Sequence, residues 1–351
     1  MGMGGSRVRT VLAIVMVVAG VAGGVWFLLG PLAGWLATAG AASITDARGE
    51  CIQATSVLGG LLTVGYGIRR FFLDRDKQRL EEDKQVTDRF SNAVAHLGSE
   101  DETVRAGGVR ALERIMRDSP RDHDAVLETL CGLLRHRARP ETVTQAPAHP
   151  GPVRRPADDV TAAVAAVRQR PVRAEAAPLD LAGVHLPGAN LRGARLDGAD
   201  LTASEFGGAV LSSAILDSAQ LNSARLAGAR LISASLVAAR LTGAVLTDAD
   251  LDTAQLTRAC LDNATLENAN LAGADFSGAS LHRARLRGAR LSHSVWGGAD
   301  LTDADLRGAD LRTSSGLTAD MLRAAVTDDD TLPPEGVSHS RPGPVNRRGT
   351  T

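Results

Sequence analysis

The chain has 351 residues, only three cysteines and a formal net charge of −1 at pH 7. Cys51, Cys131 and Cys260 fall in three different parts of the sequence, which excludes a disulfide framework and any Cys-based metal spacing. The near-balance of charge conceals very uneven segments, which together read as a membrane-attached protein of several parts.

From Thr10 to Thr45 no residue is ionisable. Residues 11–29, VLAIVMVVAGVAGGVWFLL, come close to the roughly 20 apolar residues that cross a hydrocarbon core, and Gly30-Pro31 then breaks the helix. A second uncharged run, Cys51–Ile68, is richer in Gly, Thr and Gln. It reads as a second span, with a peripheral or buried hydrophobic hairpin as the alternative. Arg7 and Arg9 precede the first span, and Arg69, Arg70, Arg75, Lys77 and Arg79 follow the second, while the connection carries Asp46, Arg48 and Glu50. By the positive-inside rule, residues 1–10 and everything after Ile68 face the cytoplasm. The expectation is a transmembrane hairpin in the cell membrane, multi-pass with both termini cytoplasmic, whose first partner is the lipid bilayer. Ala37-Thr38-Ala39 and Ala39-Gly40-Ala41 resemble signal-peptidase sites. The apolar segment is long for a signal peptide, and the basic cluster after Ile68 keeps the body cytoplasmic in either case.

Residues 69–137 read as a small helical section. Val86, Phe90, Val94 and Leu97 form one apolar stripe. Ser99-Glu100-Asp101-Glu102 reads as a capping box, starting a helix that buries Val104, Val109, Leu112, Ile115 and Met116 and ends at Ser119-Pro120. A third helix from about Asp122 carries Val126, Leu127, Leu130, Leu133 and Leu134. Residues 138–178 read as a linker with one short helical pattern, DDVTAAVAAVRQR, whose Val160, Val164 and Val167 share a face. A helix there would cover the open first turn of the domain that follows, since an exposed sheet edge invites pairing with other chains.

Residues 179–315 hold the strongest pattern in the chain. From Leu181 to Leu311 every fifth residue is large and apolar, twenty-seven times, and all are Leu except Phe206, Phe276 and Trp296. Two residues earlier, from Ala189 to Ala309, every position is Ala except Ser204 and Ser294. Five fits neither the helical period of 3.6 nor the strand period of 2, so the chain must turn every five residues. With one pentapeptide per side of a square coil, Leu points to the axis and Ala fills the corner. Twenty residues make one coil, and parallel spacing of about 4.8 Å gives about seven coils in a mainly β rod of about 32 Å. Gly188, Gly193, Gly198, Gly243 and Gly308, each two residues after an axial Leu, permit the corner conformation. Residues 316–327 offer a C-terminal capping helix with Leu317, Met321, Leu322 and Ala325 as its buried face, and the polar, Pro-containing residues 328–351 read as disordered.

This stretch resembles the pentapeptide-repeat proteins, which implies a right-handed quadrilateral β-helix. The run VRAGGVRALERIMRDSPRDH also resembles the segment ahead of the repeats in membrane-anchored actinobacterial members. A repeat scaffold does not dictate function. An axis filled by Leu and Ala leaves no catalytic cavity, and the chain lacks a P-loop, GxGxxG, HExxH or GxSxG. No enzyme and no cofactor is expected. Asp248, Asp250 and Asp252 read as solvated outward positions rather than a Ca²⁺ site.

Some members of the family look like DNA and bind gyrase, and a DNA-mimicking protection factor is the alternative function. That mechanism needs a continuous acidic stripe. Between Leu179 and Thr313 there are thirteen Asp and two Glu against twelve Arg, a net of −3, and the four faces carry −3, 0, +1 and −1. This argues against mimicry and against a nucleic-acid partner. What remains is a non-catalytic scaffold that binds other proteins from the membrane. Val210, Ile215, Ile232 and Val237 occupy outward positions on two adjoining faces of two successive coils, and contiguous apolar residues mark contact surfaces, for an unidentified protein or a homodimer. The competing explanation is that β-branched residues simply suit strands. His282, Arg283, Arg285, Arg287 and Arg290 form a basic cluster that could meet an anionic partner, unless acids one coil on neutralise it as ordinary surface chemistry.

Overall fold

The computed structural model describes residues 43–139 and 156–337, and of 43–62, 78–80, 82 and 83 the backbone alone. The chain divides into two compact units, Met1–Asp83 and Lys84–Thr351. The expected first span, 11–29, lies outside the described residues. Helix α1 runs unbroken over Ser43–Leu97. It contains both the expected connection at Asp46–Glu50 and the whole of Cys51–Ile68, so the latter is not an element that ends at Ile68. The segment holds no proline. Each glycine costs about 1 kcal/mol relative to alanine, which is too little to break so long a helix. Among the described residues no helix is long and apolar enough to cross a membrane.

In the second unit the last turns of α1 lead into α2 (Glu102–Asp118), α3 (His123–Arg137) and α4 (Asp158–Arg168). The capping residue of α2 is Asp101, not Ser99: its carboxylate accepts from the amides of Thr103 (2.7 Å) and Val104 (3.4 Å), while Ser99 Oγ accepts from Asp101 N. That start sets the register. The buried face of α2 is Arg105, Ala106, Gly108, Val109, Leu112, Ile115 and Met116, and Val104 is exposed. On α1 the stripe runs through Val86, Phe90, Ala93 and Leu97, with Val94 outside it. The two helices approach closely at Gly108, where a Cβ would stand 2.8 Å from the Ala93 carbonyl oxygen. In α3 and α4 the expected apolar residues are all buried. Arg105 and Asp159, both buried, tie α2 to α4 through an Nε–Oδ2 contact of 2.5 Å, and Arg137 of α3 stands 3.5 Å from the same oxygen. The segment 169–178 adds two arginine caps: Arg173 donates to the carbonyls of Met116 and Arg117, and Arg170 to that of Val167. Cationic donors suit the carbonyl-rich C-terminal ends of helices.

The repeat forms a four-sided coil as its period requires. Parallel bridges join each residue before an axial position to its counterpart twenty residues on, from Asp180↔Asp200 to Val295↔Ser315. Backbone bonds such as Leu221 N→Arg240 O (2.7 Å) and Gln220 N→Ala199 O (2.9 Å) repeat on every side. Among the described residues these are isolated bridges rather than extended strands, because a turn takes up part of every pentapeptide. That turn is closed by bonds such as Ala224 N→Leu221 O (3.0 Å). The second residue after each axial position has positive φ from Gly183 to Gly308, whether glycine or not, and includes the β-branched Thr253 at 55°. Glycine is therefore favoured there but not required, since a repeated turn held from both sides overrides a local preference.

The axis is closed by Leu, with the three aromatics fully buried. The two serines at corner positions satisfy themselves: Ser204 Oγ donates to Leu201 O (2.5 Å) and Ser294 Oγ to Leu291 O (2.7 Å). At the first coil, Ala138 O at the end of α3 accepts from His185 N, continuing the ladder, and Arg135 pairs with Asp180. At the other end the capping helix is the short α5 (Ala319–Ala324), with Leu317 and Leu322 buried and Met321 and Ala325 half-buried. Of the expected disordered tail, residues 328–337 are ordered, while 338–351 lie outside the described residues. Val326 and Leu332 bridge to Asp305 and Asp310 and extend two more sides, and buried Thr331 donates to Leu306 O (3.1 Å). Backbone pairing and one buried hydroxyl order a segment whose polar composition reads as disordered.

Candidate interaction surfaces of the solenoid

With the axis filled, only the outer faces can bear a site. The one-coil step of twenty residues places Val210 and Ile215 on one coil and Ile232 and Val237 on the next. Ile215 is exposed at 39 %, whereas Val210, Ile232 and Val237 are half-buried. The patch is also bounded by polar partners: Val210 bridges to Asn190 and Arg230, and Asp217 accepts from Ser235 Oγ (2.5 Å) and Val237 N (3.0 Å). It is a small apolar ridge with Ile215 as its most prominent residue.

The basic cluster is divided among partners on neighbouring coils. Arg283 lies 3.6 Å from Asp303, and Arg285 lies 3.7 Å from Glu267 while donating to Thr265 Oγ1. His282 N donates to Asp262 (3.2 Å), and Arg290 sits in the ladder between Asn270 and Asp310. Arg287 adds positive charge near Asp305, whose carboxylate is bonded chiefly by Arg307. Of the five, Arg283 and Arg285 are held in ion pairs with acids on neighbouring coils, and exposed pairs of this kind contribute little each.

A regular polar device is the feature that reading the acids only as solvated charges overlooks. Asp or Asn just before an axial Leu or Phe turns its side chain onto the amide two residues on, as in Asp200 to Thr202 N (3.0 Å), Asp275 to Ser277 N (2.8 Å) and Asp300 to Thr302 N (2.9 Å). This is the Asx turn, and its signal in the sequence is the recurrent D/N-L-x. Asp250 likewise accepts from Asn270 Nδ2 (2.8 Å). Among the described residues no group of three or more ligating side chains could hold a metal.

These bonds depress several carboxyls. The Thr302 hydroxyl and amide lower Asp300, the Arg307 and Arg312 side chains lower Asp305 and Asp310, and the Gly308 amide lowers Asp328. A carboxyl whose folded pKa is lowered stabilises above its unfolded pKa, about 3.9 for Asp, and loses that contribution as pH falls through the folded value. Asp101 at the start of α2 and Asp275 are also lowered, but four of the six such carboxyls lie in the last coil and its extension. Below about pH 4 the C-terminal coil is therefore expected to open first. Hydrogen exchange of the amides of 305–332 should accelerate before that of 225–250, and uniform acceleration along the rod would refute the prediction.

Residues 180–315 match the family model described as pentapeptide repeats, in eight copies. A comparison with curated proteins found no match. Solved structures similar to this chain include HetL, a pentapeptide repeat protein involved in heterocyst differentiation regulation from the cyanobacterium Nostoc sp. strain PCC 7120, at 28 % identity over 44 % of this chain and 85 % of that one, with a TM-score of 0.27. Rfr23, from the cyanobacterium Cyanothece 51142, is 32 % identical over 30 % of this chain and 63 % of its own length, with a TM-score of 0.20. QnrB1, a plasmid-mediated fluoroquinolone resistance protein, is 21 % identical over 43 % and 80 %, with a TM-score of 0.21. From its strict period, its twenty-residue bridge step and the family match, the chain carries over residues 180–315 a pentapeptide-repeat domain.

Proposed function

We propose that the chain is a non-catalytic, membrane-anchored scaffold that presents its β-helix to the cytosol for binding other proteins. The observation that carries this reading is the filled axis: every axial residue from Leu181 to Leu311 is 2 % exposed or less. Catalysis needs convergent groups in a cavity, whereas a filled rod offers surface alone. Anchoring rests on the apolar residues 11–29 and on the basic cluster after Ile68. Grooves outside the axis, such as the one of about 460 Å³ lined by Val86, Ala93, Ala111 and Ile115 and rimmed by Arg89, His96 and Arg114, add to the surface a partner can use.

The test is crosslinking in intact membranes followed by recovery of the full chain. Ile215→Asp combined with Val237→Asp is expected to remove a discrete crosslinked species, whether homodimer or heterologous complex, while the chain stays folded and membrane-bound. An unchanged crosslinking pattern would exclude the apolar ridge as the contact. Co-purification of gyrase with altered quinolone sensitivity would favour the DNA-mimicking protection factor instead.

A further inference from the structure

We propose that the segment of α1 from Val64 to Lys77 seats across the boundary between acyl chains and headgroups of a membrane containing anionic phospholipid; this rests on the membrane-anchored reading above. Val64, Tyr66, Ile68, Phe71, Phe72 and Leu73 all stand exposed, by 53–69 %. No other stretch of the described residues leaves six large apolar side chains uncovered within ten residues.

Their arrangement indicates what covers them. Val64, Ile68, Phe71 and Phe72 fall at helical steps of four, three and one and make one apolar strip. Tyr66 and Leu73, seven apart, lie on the opposite side. A protein groove covers one side of a helix, whereas lipid surrounds it. Arg69, Arg70, Arg75 and Lys77 are exposed and interleave with these residues, against only Asp74 and Asp76. Arg70 stands 3.8 Å from Asp74 with both side chains open to solvent, so this pair leaves the cation available. Aromatic rings beside cations, where an apolar run gives way to a charged one, match the chemistry of the interface: rings at headgroup depth, long cationic side chains reaching lipid phosphates, and attraction to anionic lipid.

The experiment uses the full chain with Cys51, Cys131 and Cys260 changed to Ala and Phe72→Cys carrying an environment-sensitive fluorophore. The chain is reconstituted in vesicles of phosphatidylcholine alone or with phosphatidylglycerol. The expected result is blue-shifted emission, several-fold brighter, in the anionic vesicles. Arg69→Gln with Arg70→Gln, Arg75→Gln and Lys77→Gln should remove the difference between the two lipids, as should high salt, by screening. Emission typical of water in both vesicles overturns the proposal, and so does equal burial in both. Flotation reads anchoring separately: a chain that fails to float with either vesicle overturns the membrane-anchored reading, whereas one that floats with its fluorophore in water overturns only the seat of this segment.

Discussion

Asp159→Ala is expected to cost about 3–5 kcal/mol, the range for breaking a buried ion pair by removing one partner. Asp159 is fully buried, its Oδ2 lies 2.5 Å from Arg105 Nε and 3.5 Å from Arg137 Nε, and its Oδ1 accepts from Val160 N. Three helices therefore share one carboxylate. Without it the Arg105 guanidinium stays buried with only the carbonyls of Ser99 and Glu100 as acceptors. Replacing both partners, Arg105→Met with Asp159→Leu, should recover most of the loss, because neither charge is then left desolvated. Denaturant unfolding followed by the helical signal, with hydrogen exchange in α2 and α4, measures both. A cost below about 1 kcal/mol for Asp159→Ala would show that the pair does not hold the helical section together.

Trp296→Ala is expected to cost about 3–5 kcal/mol, the range for deleting a buried aromatic. Its ring stacks on Phe276 at 4.3 Å and 12°, and Nε1 donates to Ser294 Oγ at 2.7 Å. In the next coil the axial register falls on Gly316, where a Cβ would meet Gly297 N at 2.8 Å. The column of axial side chains ends at Trp296, so alanine would leave a cavity that little else can fill. Trp296→Leu should be milder, since Leu is the usual axial residue and recovers part of the volume. Equal losses for Ala and Leu would point to the Ser294 hydrogen bond rather than cavity volume as the source.

Much of the architecture is legible in residue order because it follows from local repetition. The fivefold period, Ala at the corner and Gly two residues after Leu imply a coil without reference to distant contacts, and the twenty-residue bridge step agrees. The helical section was readable only to within a register. Asp101 rather than Ser99 caps α2, and Ala93 rather than Val94 faces it. Several caps and several phases fit a short amphipathic run, and the close approach at Gly108 selects among them. The apolar ridge and the basic cluster were legible as positions, not as surfaces. Three of the four residues of the first are half-buried, and in the second Arg283 and Arg285 pair with acids twenty and eighteen positions away.

The sequence by itself determined the coil, its axial filling and the sites of turning, because a period that no helix or strand can satisfy leaves the chain few ways to bury its leucines. Tertiary structure decided the ends and the outside: that a buried carboxylate joins α2 to α4, and that Val326 and Leu332 prolong the rod beyond its last repeat. These outcomes depend on contacts between residues far apart in the chain, where packing geometry and desolvation rather than local pattern set the energy.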